Sequence, residues 1–154
     1  MDFFRSMDVA ASGMRAEQFR MDVTAENIAN VNTTSSVDGT PYRRKMAVIT
    51  PADEPEFMLP AGLSEDEEAG FIGGGVQTAG VMEDKSADFK YVYDPENPQA
   101  QKEGKWKGYV AMPNVNIITE MTSLIAASRS YEANVTALQS AKTMAQKALD
   151  IGRR

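Results

Sequence analysis

From Phe4 to Ile28, apolar residues return every three or four positions: Phe4, Met7, Ala11, Met14, Met21, Ala25 and Ile28, with Gln18 interrupting the series. This spacing predicts an amphipathic helix carrying a heptad seam. The other end of the chain repeats the pattern through Ile117, Met121, Leu124, Ser128, Tyr131, Val135 and Leu138, then drifts to Ala141, Ala145 and Ala148. No proline follows Pro113 and no glycine precedes Gly152, so one helix is predicted between them, with Asn114 or Asn116 as its N-cap and Gly152 as its stop. At 1.5 Å per residue the second helix is roughly 57 Å long and the first roughly 40 Å. Rods of that length do not wrap a small globular core. They are expected to lie against each other as a coiled pair, parallel or antiparallel.

The segment between them has another rhythm. All seven prolines fall in Pro41–Pro113, as do most of the eleven glycines. "TPYRRKMAVITP" reads as a turn and a strand. "EFMLP", "GFIGGGVQTAGVMED" and "DFKYVYDP" supply further short runs, the last alternating Phe89, Tyr91, Tyr93, and "KWKGYVAMP" ends on an extended piece. The predicted class is α+β. Residues 1–32 and 114–154 form a helical inner domain, and residues 33–113 form an extended, β-rich insert of four or five short strands.

The stripes are thin for helices of this length. Ser, Thr, Ala and Met occupy seam positions where a core helix would carry Leu or Ile. Small residues permit close approach, and Met packs adaptably against neighbours that differ. The C-terminal helix has a second apolar face at Ile118, Ile125 and Ala126. One partner helix does not cover both faces, so contact with the insert or with other subunits is expected.

Charge narrows the chemistry. Across 154 residues the net charge is −6, most of it from the middle segment, and a phosphate-binding surface needs the opposite sign. There is no cysteine and no histidine, which removes thiol chemistry and the commonest general base and transition-metal ligand. The "SEDEEAG" run (Glu65–Glu68) lacks the alternating ligands and closing bidentate Glu of a calcium loop and reads as a solvated, peripheral loop. The glycines Gly73–Gly75 are not followed by the Lys and Ser/Thr of a phosphate loop. The opening "MDFFRSMDVAASGM" lacks the basic and unbroken apolar regions of a secretory signal. No catalytic, cofactor or metal residues are predicted, and the chain is read as non-enzymatic.

Two polar clusters stand out. "ENIANVNTT" places Asn27, Asn30 and Asn32 at the end of the first helix. One Asn serves as a C-cap; three suggest amides bonded to neighbouring backbone. "ASRSYEANV" sets Ser128, Ser130 and Asn134 around Tyr131 in mid-helix. Polar groups on a seam cost stability and specify register, which an assembly requires.

These clusters carry a resemblance. "AASGMRAEQFRMDVTAENIANVNTTSSVDGTPYRRK" and "GYVAMPNVNIITEMTSLIAASRSYEANVTALQSAKTMAQKALDIG" resemble the two ends of bacterial flagellar axial proteins, and among them the basal-body rod proteins of the proximal rod. The resemblance covers about half of the chain; the acidic middle carries none of it.

The resemblance implies a structural subunit of the basal body in flagellum-dependent motility. Its terminal helices would pack helically with sister subunits to form a drive shaft that is also the wall of an export channel. It implies as partners further copies of the chain, other proximal- and distal-rod proteins, the rod-to-membrane-ring adaptor and the type III export apparatus, without nucleic acid or direct lipid insertion. It places the chain in a rod crossing the periplasm, exported without a cleaved signal. The expected assembly interface comprises Met7, Met14, Met21, Asn27, Ile28, Asn30, Asn32, Ile117, Met121, Leu124, Ser128, Tyr131, Asn134, Val135 and Leu138. A membrane-active helix pair is disfavoured because the N-terminal arm carries more acid than base and has a Met/Ala seam.

Overall fold

The computed structural model describes residues 3–35, 40–52 and 74–152. The acidic run Glu65–Glu68 and the predicted "EFMLP" strand lie outside them, as does the side chain of Phe4. Helix α1 spans Phe3–Ala29 and helix α2 spans Ile117–Gly152. Four strands lie between them: β1 (Lys45–Pro51), β2 (Val76–Glu83), β3 (Lys90–Tyr93) and β4 (Tyr109–Met112). They form two antiparallel pairs, β1–β2 and β3–β4. The class is α+β, as the periodicity predicts.

The helix ends follow from local chemistry. Asn116 caps α2, its Oδ1 accepting from Ile118 N at 3.0 Å, and Glu120 lies in the first turn. Asn114, the other candidate cap, is used elsewhere. At the end of α1, the Asn30 side chain donates to Glu26 O at 2.9 Å and accepts from Thr33 Oγ1 at 3.1 Å, which closes the last turn.

The two helices are antiparallel. Asn27 faces Glu120, and Gly13 faces Asn134. Both intervals are 14 residues, two heptads on each helix, so one register holds over the whole contact. On α2 the half-buried and buried positions are Glu120, Ser123, Leu124, Ala127, Ser128, Tyr131, Asn134, Val135, Leu138, Ala141 and Ala145. Leu124, Ser128, Tyr131, Val135, Leu138, Ala141 and Ala145 are seam positions of the periodic reading; Glu120 and Ala127 are not part of it, and Ile117, Met121 and Ala148, which are, stay exposed.

Helix α1 departs further from its apolar stripe. Its buried residues are Ser12, Ala16, Val23, Thr24 and Asn27, whereas Gln18 and Ala25 are exposed and Met7, Ala11, Met14, Met21 and Ile28 are partly exposed. Ala16 lies 200° around the helix from Met14 at 100° per residue. The reason is that α1 packs against both α2 and the β1–β2 hairpin. Close approach on two sides selects small side chains, and the methionines are left on the flank.

The hairpins are built differently. β1 and β2 pair over seven residues with an irregularity after Val48. In β3–β4 the paired residues Tyr93 and Tyr109 pack edge to face at 5.2 Å between ring centroids, and Trp106 stacks on Tyr91 at 4.4 Å with the rings 3° from parallel. A two-stranded sheet is marginal alone, and this aromatic ladder supports it. On its other face Val110 is buried.

Candidate assembly junction

The described residues bring four sequence segments to one point: the end of α1, the start of β1, the turn after β2, and the start of α2. Asn27 is 1% exposed, and its amide meets its full hydrogen-bonding capacity. Its Nδ2 donates to Lys45 O at 2.8 Å and to Glu120 Oε2 at 3.0 Å. Its Oδ1 accepts from Lys45 N at 2.8 Å and from Tyr42 OH at 2.9 Å. Pairing with both backbone groups of Lys45 makes the side chain act as a piece of strand beside β1.

Glu120, also 1% exposed, receives Arg44 on its other oxygen, Nε to Oε1 at 2.7 Å. Arg44 is further held through its backbone, which donates from N to Asn114 Oδ1 at 2.9 Å and accepts at O from Asp84 N at 2.8 Å. Asn114 Nδ2 approaches Asp84 O at 3.4 Å. Arg43 lies 4.3 Å from the Phe89 ring centroid, a cation–π contact joining β1's start to the approach to β3. Lys45 Nζ pairs with Glu26 on α1. A buried carboxylate is tolerable only when both oxygens are paired, and here both are.

Two titratable groups respond to this setting. Burial, reinforced by the negative charges of Glu26, Glu120 and Glu83, raises Tyr42 from 10.0 to about 12, so its hydroxyl remains a donor to Asn27. Hydrogen bonds from the Ser86 side chain and backbone, with Arg44 a smaller contributor, hold the Asp84 carboxyl below its usual range.

A second contact lies two heptads along. Ser12 Oγ donates to Val9 O at 2.7 Å and accepts from Val76 N at 3.1 Å, tying α1 to the start of β2. Opposite it, Gly75 has φ +99°, and a Cβ there would lie 2.4 Å from Ser12 Oγ. Gly13 faces Asn134, where a Cβ would come within 2.8 Å of Nδ2.

The motifs thus meet in pairs: "ASGM" touches "SYEANV", and "NIAN" touches "PYRRK" and the start of α2. Of the residues expected to act together, Asn27 joins the junction and Asn134 its companion contact. Asn30 serves its own helix end, Asn32 is exposed, and Ile117 and Met121 face outward. Leu124, Ser128, Tyr131, Val135 and Leu138 are partly buried along α2. Sequence reasoning missed Glu120, Arg44, Tyr42, Asn114, Ser12 and Gly13. Glu120 was detectable, since it continues the seven-residue series Ala127, Asn134, Ala141 backward by one step. Among the described residues no three acidic, His or Cys side chains gather as a metal site, and no helix is long and apolar enough to cross a membrane.

The two helices that meet at this junction lie in segments that match known protein families. Residues 7–35 match the family of flagella basal body rod proteins, and residues 107–151 match the C-terminal family of flagellar basal body rod FlgEFG proteins. The flagellar basal-body rod protein FlgC of Borreliella burgdorferi is 42% identical over 151 residues, 98% of each chain. That of Bacillus subtilis is 43% identical over 157 residues, covering 99% of this chain and all of the relative. That of Escherichia coli O6:H1 is 39% identical over 152 residues, 99% of each chain. The chain belongs to the FlgC family of flagellar basal-body rod proteins. The likeness spans the middle segment as well as the ends. In this FlgC-family chain, "NIAN" and "PYRRK" supply Asn27, Tyr42, Arg44 and Lys45, which lock the helix pair to the first hairpin.

Proposed function

We propose that this chain builds the wall of the proximal rod by packing its terminal helices against sister rod proteins, with the Asn27–Arg44–Glu120 junction setting the angle between helix pair and hairpin. As a FlgC-family member it is a structural subunit of the flagellar basal-body rod, and it serves motility. The observation that carries the packing is the outer face of α2. Ile118, Met121 and Ile125 project from it at three- and four-residue spacing, and Ile118 is 76% exposed. An isolated soluble subunit has no use for that face, and a helical assembly buries it. The interface comprises the partly exposed stripe Met7, Met14, Met21 and Ile28 on α1 with the α2 positions from Ile117 to Leu138. The junction amides act beneath it by fixing which faces point outward.

In this reading the partners are further copies, proximal- and distal-rod proteins, the adaptor to the membrane ring and the export apparatus. The rod crosses the periplasm, and the chain reaches it without a cleaved signal. The chain has no enzymatic role. The test is complementation of a strain lacking the gene. Leu138→Asp, at normal protein level, should abolish swimming and leave no rod beyond the subunit's position in imaged basal bodies. Met121→Glu should block assembly while the purified chain keeps its helix content. Normal swimming with both substitutions would refute the packing.

A further inference from the structure

The second hairpin stands apart from the rest of the fold. Among the described residues, no Cα of β3 or β4 comes within 8 Å of α1, α2, β1 or β2, whereas α1 packs on both α2 and the first hairpin. The two crossings between the second hairpin and that body are gathered at one point. Asp84, leaving β2, donates from N to Arg44 O at 2.8 Å, and Asn114, on the return to α2, accepts at Oδ1 from Arg44 N at 2.9 Å. The Asn114 amide also approaches Asp84 O at 3.4 Å, so both crossings are clasped to each other and to one residue of the body. Beyond the clasp, contact with the body is made by exposed or edge side chains: Thr34 with Gln99, and Arg43 with the Phe89 ring. Two open spaces lie between hairpin and body, a pocket bordered by Thr34, Pro41 and Val110 and a groove bordered by Val31, Met112 and Ile118. Packed elements leave few voids larger than a water molecule, so packing does not fix this hairpin in place. Within itself it is stiff, because Trp106 stacks on Tyr91, Tyr93 meets Tyr109, and Gln101 N donates to Tyr109 O at 3.0 Å.

We infer that β3–β4 is a hinged arm that swings as one stiff unit about the Arg44–Asp84–Asn114 clasp in the free subunit. The change in backbone angles is absorbed by residues 85–89 on one crossing and 112–113 on the other, as hinges use a few positions at the ends of elements. The exposed rings of the arm, Tyr93 (65% exposed) and Trp106 (37%), are thereby carried at an angle that the rest of the fold leaves open. The hinge belongs to the single chain and does not depend on how the terminal helices pack.

The chain contains no cysteine, so spin labels attach only where cysteines are introduced. Distance distributions are read by pulsed electron paramagnetic resonance on the purified full chain as a monomer. Val92→Cys with Glu132→Cys spans the arm and the body, and Asp22→Cys with Lys142→Cys spans the two helices as the rigid reference. The expected arm–body distribution is at least twice as wide as the reference. Lys102→Cys with Glu132→Cys is read alongside and keeps the test open should Val92→Cys loosen the hairpin. Arm–body distributions no wider than the reference would overturn the hinge. A wide distribution from Lys102 beside a narrow one from Val92 would overturn it too, because that pattern belongs to a loose turn on a fixed hairpin.

Discussion

Asn27 on α1 and Glu120 on α2, 93 residues apart in sequence, share a 3.0 Å hydrogen bond in a site where both side chains are almost fully enclosed. The same amide completes its bonding on the backbone of Lys45 and the hydroxyl of Tyr42, so one side chain spans two helices and a strand.

Replacing it should therefore cost more than a surface amide. Asn27→Ala leaves a carboxylate oxygen, a phenol and both backbone groups of Lys45 without their partner. Each unsatisfied buried group costs about 1–3 kcal/mol, so a loss of at least about 2 kcal/mol is expected in denaturant unfolding. Asn30→Ala and Asn32→Ala should stay within about 0.5–1 kcal/mol of the parent, because neither side chain leaves its own helix end or enters the core. Equal losses at all three positions would show that helix capping alone explains the cluster.

The Arg44–Glu120 pair should behave as a coupled unit. Arg44→Ala strands a buried carboxylate and is expected to destabilise by about 3 kcal/mol. Glu120→Gln keeps an acceptor for Arg44 and should cost less. In the double variant much of the Arg44 penalty should vanish, giving a coupling energy above about 1 kcal/mol in a double-mutant cycle. Additive losses would mean that Arg44 acts through its backbone contacts alone.

Gly75→Ala tests the contact between α1 and β2. The positive φ disfavours any side chain, and the new Cβ would meet Ser12 Oγ. The expected loss is about 1–3 kcal/mol. Ser12→Ala in the same chain should relieve the clash and leave the backbone strain, so part of the loss should remain, as a shift in thermal midpoint.

Tyr42 makes the junction sensitive to alkali. Its folded-state value of about 12 lies above the ordinary 10.0. The neutral phenol is thus favoured by folding, and its contribution is complete below pH 10 and is lost as pH rises toward 12. Unfolding midpoints of the parent should fall more steeply over that window than those of Tyr42→Phe, which lacks the titrating group. Parallel curves would place the Tyr42 hydroxyl outside the network.

The sequence by itself determined where the helices and strands lie and to which proteins the chain is related. Period three-and-four and the absence of proline after Pro113 specify α2. Alternation specifies Tyr91 and Tyr93 on one face of β3. The unusual Asn and Ser positions mark segments under constraint. Which face of α1 goes inward was decided only by tertiary structure. A stripe of Met and Ala is the more apolar side, yet two neighbours approach α1 elsewhere, and their spacing admits Ser12, Gly13 and Ala16 rather than long side chains. The seven-residue series places Glu120 on the seam, but its enclosure as a buried ion pair was unreadable for a related reason. A carboxylate in a helix's first turn is ordinarily satisfied by solvent and the helix dipole, and nothing local announces that Arg44, 76 residues earlier, will enclose it. Periodicity reports what a segment prefers against water; burial of a charge or a small residue depends on which other segment arrives, and that information is spread over the whole chain.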